Sequence, residues 1–232
     1  MKLTDGVYAL TVTVERDGGE TAFHPAAVET DRGVVLLDTT LPGMADELEA
    51  ALGDAGFGFD DVTAVVLTHH DGDHAGALAE VCDRADDPPV YAHEAEAPFV
   101  DGREHPIKSD PDAERYPPVP VDVELQDGVT FRTAAGPMRA VFTPGHAPGH
   151  LSFVLPEADL LLAGDALTSD DGGVRPPIDR FTPDLREATR SVGRLAELDV
   201  DRVHCFHGGP ADEGTAGVER VYDAMREDHG DA

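Results

Sequence analysis

A chain of 232 residues can bury a substantial core, and it falls within the size range of a single α/β domain. Its 17 Lys and Arg stand against 47 Asp and Glu, a formal charge of −30, which argues against a nucleic-acid backbone or an anionic membrane surface as partner, since both would be repelled. Apolar residues still make up 41% and fall into periodic segments, which excludes a disordered acidic chain.

The N-terminal "MKLTDGVYALTV" lacks a charged start followed by a long apolar region. No later run approaches the roughly 20 residues that span a bilayer, so a soluble, cytoplasmic protein is expected. From Gly6 to Asp38 the alternating "VYALTVTV" and the runs "PAAVET" and "GVVLLDTT" read as antiparallel strands, with "RDGGE" as a hairpin turn. "MADELEAALGDAG" reads as an amphipathic helix closing on glycine, and "DVTAVVLTHH" as a buried strand. A short helix "AGALAEVC" and a strand "PPVYAHE" follow. Between Pro98 and Pro120 the chain is rich in proline and charge without periodicity, as expected of a surface excursion or an active-site lid.

The second half repeats the order. "VDVELQDGVTFRTAAGPMRAVFTPG" reads as three strands with a "QDG" turn, and "LSFVLPEADLLLAGDAL" as two strands around a turn. The helices "PDLREATRSVGRLAEL" and "GTAGVERVYDAMRED" flank a last strand, "DRVHCFHG". Strands, helix, strands, helix is thus played twice, which predicts two sheets packed face to face with helices outside. No linker or low-complexity segment separates the halves, so residues 1–232 are expected to form one domain. Cys82 and Cys205 each lie in an apolar segment and are expected to be buried free thiols rather than a bridge.

The segment "VVLTHHDGDHAGAL" holds three histidines and two aspartates between His69 and His74. His69 and Asp71 lie two apart where a strand ends, a spacing that turns both side chains to one side on an extended backbone. Asp73 and His74 follow at a helix start, His146 in "TPGHAPGH", Asp165 in "LLLAGDAL" and His207 in "VHCFHGGP". Taken singly, each has a bland explanation: Asp73 a helix cap, Asp165 an Asx turn. Taken together, four clusters at four strand ends supply the His and carboxylate set that suits zinc, iron or manganese. His24, His93, His105, His204 and His229 are read as structural or surface residues, and His150 as bracing its loop or touching the metal.

In "HHDGDH", "PGH", "GD" and "FHG", taken in order, the chain resembles the metallo-β-lactamase-fold hydrolases, whose pattern is HxHxDH followed by His, Asp and His. The resemblance runs from about Gly6 to about Pro210. It implies an α/β chain with a four-layer αββα sandwich and two divalent metal ions at one rim. The slot of the second histidine holds Asp71, with His70 one place early and expected to point the other way. By carry-over, His69, Asp71 and His146 would hold one ion, and Asp73, His74 and His207 the other, with Asp165 bridging. Zinc is the first expectation, and the extra carboxylate shifts preference toward iron or manganese. The resemblance further implies a metal-bound hydroxide as nucleophile, oriented by Asp73, whose carboxylate would hand the proton to the leaving group.

The family's substrate range is broad. The charge disfavours a nuclease, and the missing secretion signal a β-lactamase. The glyoxalase II thioesterases, which the chain resembles around "THHDGDH", carry further basic C-terminal sequence. A small ester, lactone or thioester therefore remains, bound between "AEAPFVDGREHPIKSD" and "TSDDGGVRPPIDRFTPD", with the oligomeric state left open. The alternative is an iron-dependent redox enzyme. Flavodiiron proteins carry a carboxylate in the Asp71 slot, and persulfide dioxygenases are a mononuclear variant, but no flavodoxin-like domain is present here to deliver electrons.

The acidity is spread along the whole chain and lysine is confined to Lys2 and Lys108, the pattern of a halophile's surface. Folding should depend on molar salt, because screening relieves the self-repulsion. Thermal melts in low salt and in molar potassium chloride test this: the melting temperature should rise with salt, and an unchanged value would contradict it.

Overall fold

The computed structural model describes residues 1–16, 19–110, 112 and 114–230. It divides into two compact units, Met1–Leu125 and Gln126–Ala232.

In the first unit, β1 (Lys2–Thr4), β2 (Val7–Ala9), β5 (Ala26–Thr30), β6 (Gly33–Leu37), β7 (Val62–Val66), β8 (Val90–His93) and β9 (Val123–Leu125) form a seven-stranded sheet in that order. The strands β3 (Val12–Arg16) and β4 (Gly19–Phe23) pair as a separate antiparallel ribbon. Asp17 and Gly18 of the "RDGGE" turn between them lie outside the described residues. "VYALTVTV" is therefore not one strand, and Pro25 gives the reason. It has no N–H to continue a ladder, and its carbonyl instead takes the Leu10 N–H at 2.8 Å, so the chain leaves the sheet there.

The parallel run β6–β7–β8–β9 explains the near-continuous apolar sequence of β7, a strand covered by neighbours on both edges. Helix α1 (Ala45–Ala55) buries Ala45, Leu48, Ala51 and Leu52. It stops at Gly56, which takes φ 96°, a conformation that glycine adopts without a Cβ clash. Val34, Leu36 and Val65 of the sheet and Leu67 just after β7 meet Leu48 and Leu52 of α1 and Leu78 and Val81 of the following helix in one core. Each such side chain contributes about 1.5–3 kcal/mol by leaving water.

"AGALAEVC" forms not one helix but two, α2 (Gly72–Ala75) and α3 (Leu78–Arg84). The loop after β6 is the cause. Thr39 directs both its N–H and its hydroxyl to the His74 carbonyl, each at 2.7 Å, and Thr40 takes the Ala77 N–H at 2.8 Å. Groups that would extend α2 are thereby diverted. Gly76 permits the approach, since a Cβ there would stand 2.4 Å from Pro42 Cδ.

The stretch from Pro98 to Pro120 begins within α4 (Ala97–Val100) and holds no other helix or strand among the described residues. It is more than a surface excursion, because Tyr116 is buried in the core and Val119 packs against it. Arg115 donates to the carbonyls of Phe99 and Glu104 at 2.6 and 3.0 Å.

In the second unit, β10 (Thr130–Thr133), β11 (Gly136–Phe142), β12 (Leu151–Leu155), β13 (Leu160–Gly164), β16 (Arg202–Cys205) and β17 (Gly209–Ala211) make a six-stranded sheet in that order. The three strands expected around "QDG" are thus divided: β9 belongs to the first sheet, β10 and β11 to the second. A small hairpin of β14 (Thr168–Asp170) and β15 (Gly173–Arg175), and β17, are too short to show a period in the sequence. Helix α5 (Leu185–Ala196) starts where the Asp184 carboxylate accepts the Glu187 N–H at 2.9 Å, a regular N-cap. It buries Ala188, Val192 and Leu195 in one core with Val218, Val221 and Met225 of α6 (Thr215–His229) and Leu161 and Val203 of the sheet.

Both cysteines are free and buried. Burial pushes the Cys82 thiol up to about 11, and that of Cys205 is raised as well.

Candidate metal centre

In the first unit the candidate ligands follow from the end of β7. Pairing of Leu37 with Val66 brings the residue after β6, Asp38, beside Thr68. Asp38 is buried and adopts φ 60°, an uncommon conformation for a residue with a side chain. Its carboxylate accepts the Thr68 N–H at 2.7 Å, the Thr68 hydroxyl at 2.8 Å and His74 Nδ1 at 2.9 Å.

These bonds assign the ring protons. With the Thr68 hydroxyl given to Asp38, its oxygen can only accept from His69 Nδ1, 3.0 Å away. Both His69 and His74 therefore carry a proton on Nδ1, and in the neutral ring this leaves Nε2 as a lone pair. Their ring centroids are 4.0 Å apart, and ligand atoms of the two lie within 4.8 Å of each other. Asp71 Oδ2 stands 3.3 Å from His69 Nε2, and Asp73 Oδ2 4.0 Å from His74 Nε2.

His70 turns elsewhere. Its ring Nδ1 and its backbone N–H both meet Glu96 Oε2, the latter at 2.9 Å, and both residues are fully buried. His70 stacks on Phe99 with centroids 4.3 Å apart, its carbonyl accepts the Tyr116 hydroxyl at 2.7 Å, and its Nε2 accepts the Ile107 N–H at 3.4 Å. Burial also raises the Tyr116 pKa, so the phenol stays protonated and donating. The ring thus fastens the proline-rich stretch to the end of β7.

The second unit carries the rest. Asp165 follows β13 and is buried. Its Oδ2 lies 3.4 Å from His146 Nε2 and 3.2 Å from His207 Nε2. Thr182 gives its hydroxyl to the Ile178 carbonyl at 3.0 Å, so at 3.4 Å from His146 Nδ1 it accepts, which in the neutral ring again leaves Nε2 as the lone pair. His150 braces the loop: its Nε2 accepts the Asp165 N–H at 2.9 Å, while Nδ1 meets the Thr143 hydroxyl at 2.8 Å.

In each unit, then, imidazole lone pairs face carboxylate oxygens. Two acceptors turned toward each other repel unless a cation comes between them, so the donor set fits a divalent metal, with second partners fixing the tautomers as ligating histidines require. The structure brings His69, Asp71, Asp73 and His74 together in the first unit and His146, Asp165 and His207 in the second.

The model of the metallo-β-lactamase superfamily matches residues 26–207, from the start of β5 to the last of these histidines. The chain belongs to that superfamily. It is 28% identical to the probable metallo-hydrolase YflN of Bacillus subtilis over 230 residues, covering 88% of this chain and 84% of the relative. It is 30% identical over 148 residues to a hydroxyacylglutathione hydrolase of Shewanella baltica, covering 63% of this chain and 48% of that enzyme. A crystal structure of a metallo-β-lactamase family protein from Thermus thermophilus superposes with a TM-score of 0.76 at 27% identity, covering 97% of this chain and 81% of that one. The chain has the metallo-β-lactamase fold expected from its sequence.

Against this superfamily background, sequence reasoning did not single out Asp38, Thr68, Glu96 or Thr182. Asp38 carried a signal: "DTT" after four apolar residues is a polar run at a strand end, like "GD" and "HH".

The two neighbours His70 and Asp71 separate experimentally. Asp71→Ala should lower the metal content of the purified protein while the metal-free form melts as before. His70→Ala should keep its metal but lose about 3–5 kcal/mol of stability by stranding the buried Glu96. Metal analysis and denaturant melts of both variants decide it, and loss of metal from His70→Ala alone would reverse the assignment.

Proposed function

We propose that the chain is a metal-dependent hydrolase cleaving a small ester, lactone or thioester, with His69, Asp71 and His146 holding one ion and Asp73, His74 and His207 a second, and Asp165 serving both. The observation that carries this reading is a shared geometry: His69, His74 and His146 each meet a side-chain oxygen at Nδ1 and turn Nε2 toward a carboxylate. Zinc suits the imidazoles, and the carboxylate of Asp71 also favours iron or manganese.

When bound, divalent ions would supply Lewis acidity toward a carbonyl oxygen and lower the pKa of water toward about 7. The protein's own groups do the rest. Asp38 and Thr68 fix the imidazoles so that no reorganisation is needed during reaction. Asp73, whose side chain is 26% exposed, orients the attacking water and takes its proton. As the acyl C–O or C–S bond breaks, Asp73 delivers that proton to the leaving oxygen or sulfur. His150 holds the Asp165 backbone in place.

The likeness to a hydroxyacylglutathione hydrolase supports including thioesters among the substrates. A second reading, an iron-dependent oxidation, is favoured by the carboxylate at Asp71, and oxygen consumption by protein holding about two iron per chain would select it.

Hydrolysis of a panel of simple esters, lactones and thioesters, before and after chelation, tests the proposal. Activity should vanish with the metal and return on adding it back, and Asp73→Asn should lower turnover by about 10²–10⁴-fold. Full activity in the metal-free protein would refute it.

A further inference from the structure

We propose that Lys108 is a built-in rival for the metal at Asp71, so that its ammonium sets how tightly the first ion is held. The inference rests on the metal-centre reading above.

Lys108 Nζ lies 2.5 Å from Asp71 Oδ2, the oxygen that also stands 3.3 Å from His69 Nε2. The lysine and aspartate side chains are each only 16% exposed, so solvent screens the pair weakly. The lysine is held in place by its neighbour: the Ile107 N–H donates to His70 Nε2 at 3.4 Å, and His70 is anchored on buried Glu96. The pairing is therefore part of the same network that fastens the proline-rich stretch.

Composition points the same way. The chain has 17 Lys and Arg, of which only Lys2 and Lys108 are lysine. Lys2 pairs with Asp5 at the exposed N-terminus. The other lysine sits on a candidate ligand, where a compact ammonium can occupy one carboxylate oxygen and withdraw along a flexible stem, as a planar guanidinium cannot.

A divalent ion that takes Asp71 Oδ2 with His69 Nε2 must displace this ammonium and then bear its repulsion. The two ions are accordingly held unequally. The one at Asp71 is the weaker and exchanges first, although its ligand set includes a carboxylate that would otherwise strengthen it.

Zinc titration of the chelated full chain in molar potassium chloride, against a chromophoric chelator, tests this without reference to activity. Wild type should bind in two steps. Lys108→Met should tighten the weaker step by about tenfold or more, tenfold being 1.4 kcal/mol, and leave the stronger step alone. Lys2→Met removes the same charge elsewhere and should change neither step, and Lys108→Arg should lie between wild type and Lys108→Met. Circular dichroism confirms that each variant is folded. Equal or weaker binding in Lys108→Met overturns the inference, as does an equal gain in Lys2→Met. Failure of every variant to bind zinc overturns the metal-centre reading and this inference together.

Discussion

The candidate centre depends first on one buried carboxylate. Asp38 follows β6 in a left-handed conformation that costs on the order of 1–3 kcal/mol, and it accepts three hydrogen bonds from Thr68 and His74. The bond from the Thr68 N–H ties the loop after β7 to the end of β6, 30 residues earlier. The bond from His74 fixes that ring's tautomer, and the Thr68 hydroxyl carries the same instruction on to His69. Where such outer partners of a metal ligand are removed, metal affinity falls by about 10–100-fold.

The same solution recurs along the chain with different residues. Thr182 plays for His146 the part that Thr68 plays for His69, and His150 secures Asp165 through its backbone. In each case the strand supplies a rigid end, and a short polar side chain decides which nitrogen faces inward. A set of lone pairs aimed at carboxylates is costly in the absence of a cation. That cost is borne by packing, because β7, β12 and β13 are almost wholly buried.

How far the sequence revealed this follows from the range of the interactions. The candidate ligands were legible because ligand types recur in order at strand ends, and the fold was legible because β7 is a near-continuous apolar run and a period of about 3.6 residues persists through α5 and α6. Asp38 was not singled out, since one aspartate after a strand also reads as a turn and its partners lie 30 and 36 residues away. The break between α2 and α3 was hidden for the same reason: helix propensity runs on through "AGALAEVC", and the bonds from Thr39 that interrupt it are tertiary. Nothing local distinguishes His70, whose fully buried partner Glu96 lies 26 residues on, and the assignment of β9 to the first sheet depends on its parallel neighbour β8.

Anomalous diffraction from crystals of the metal-loaded chain tests the account most directly, because it reports each ion with its ligand atoms. The account predicts two peaks, one bonded through Nε2 of His69 and of His146 and the carboxylate of Asp71, the other through Nε2 of His74 and of His207 and the carboxylate of Asp73, with Asp165 between them. A peak bonded to His70 in place of Asp71, or coordination through Nδ1 of His69 or His74, would contradict it.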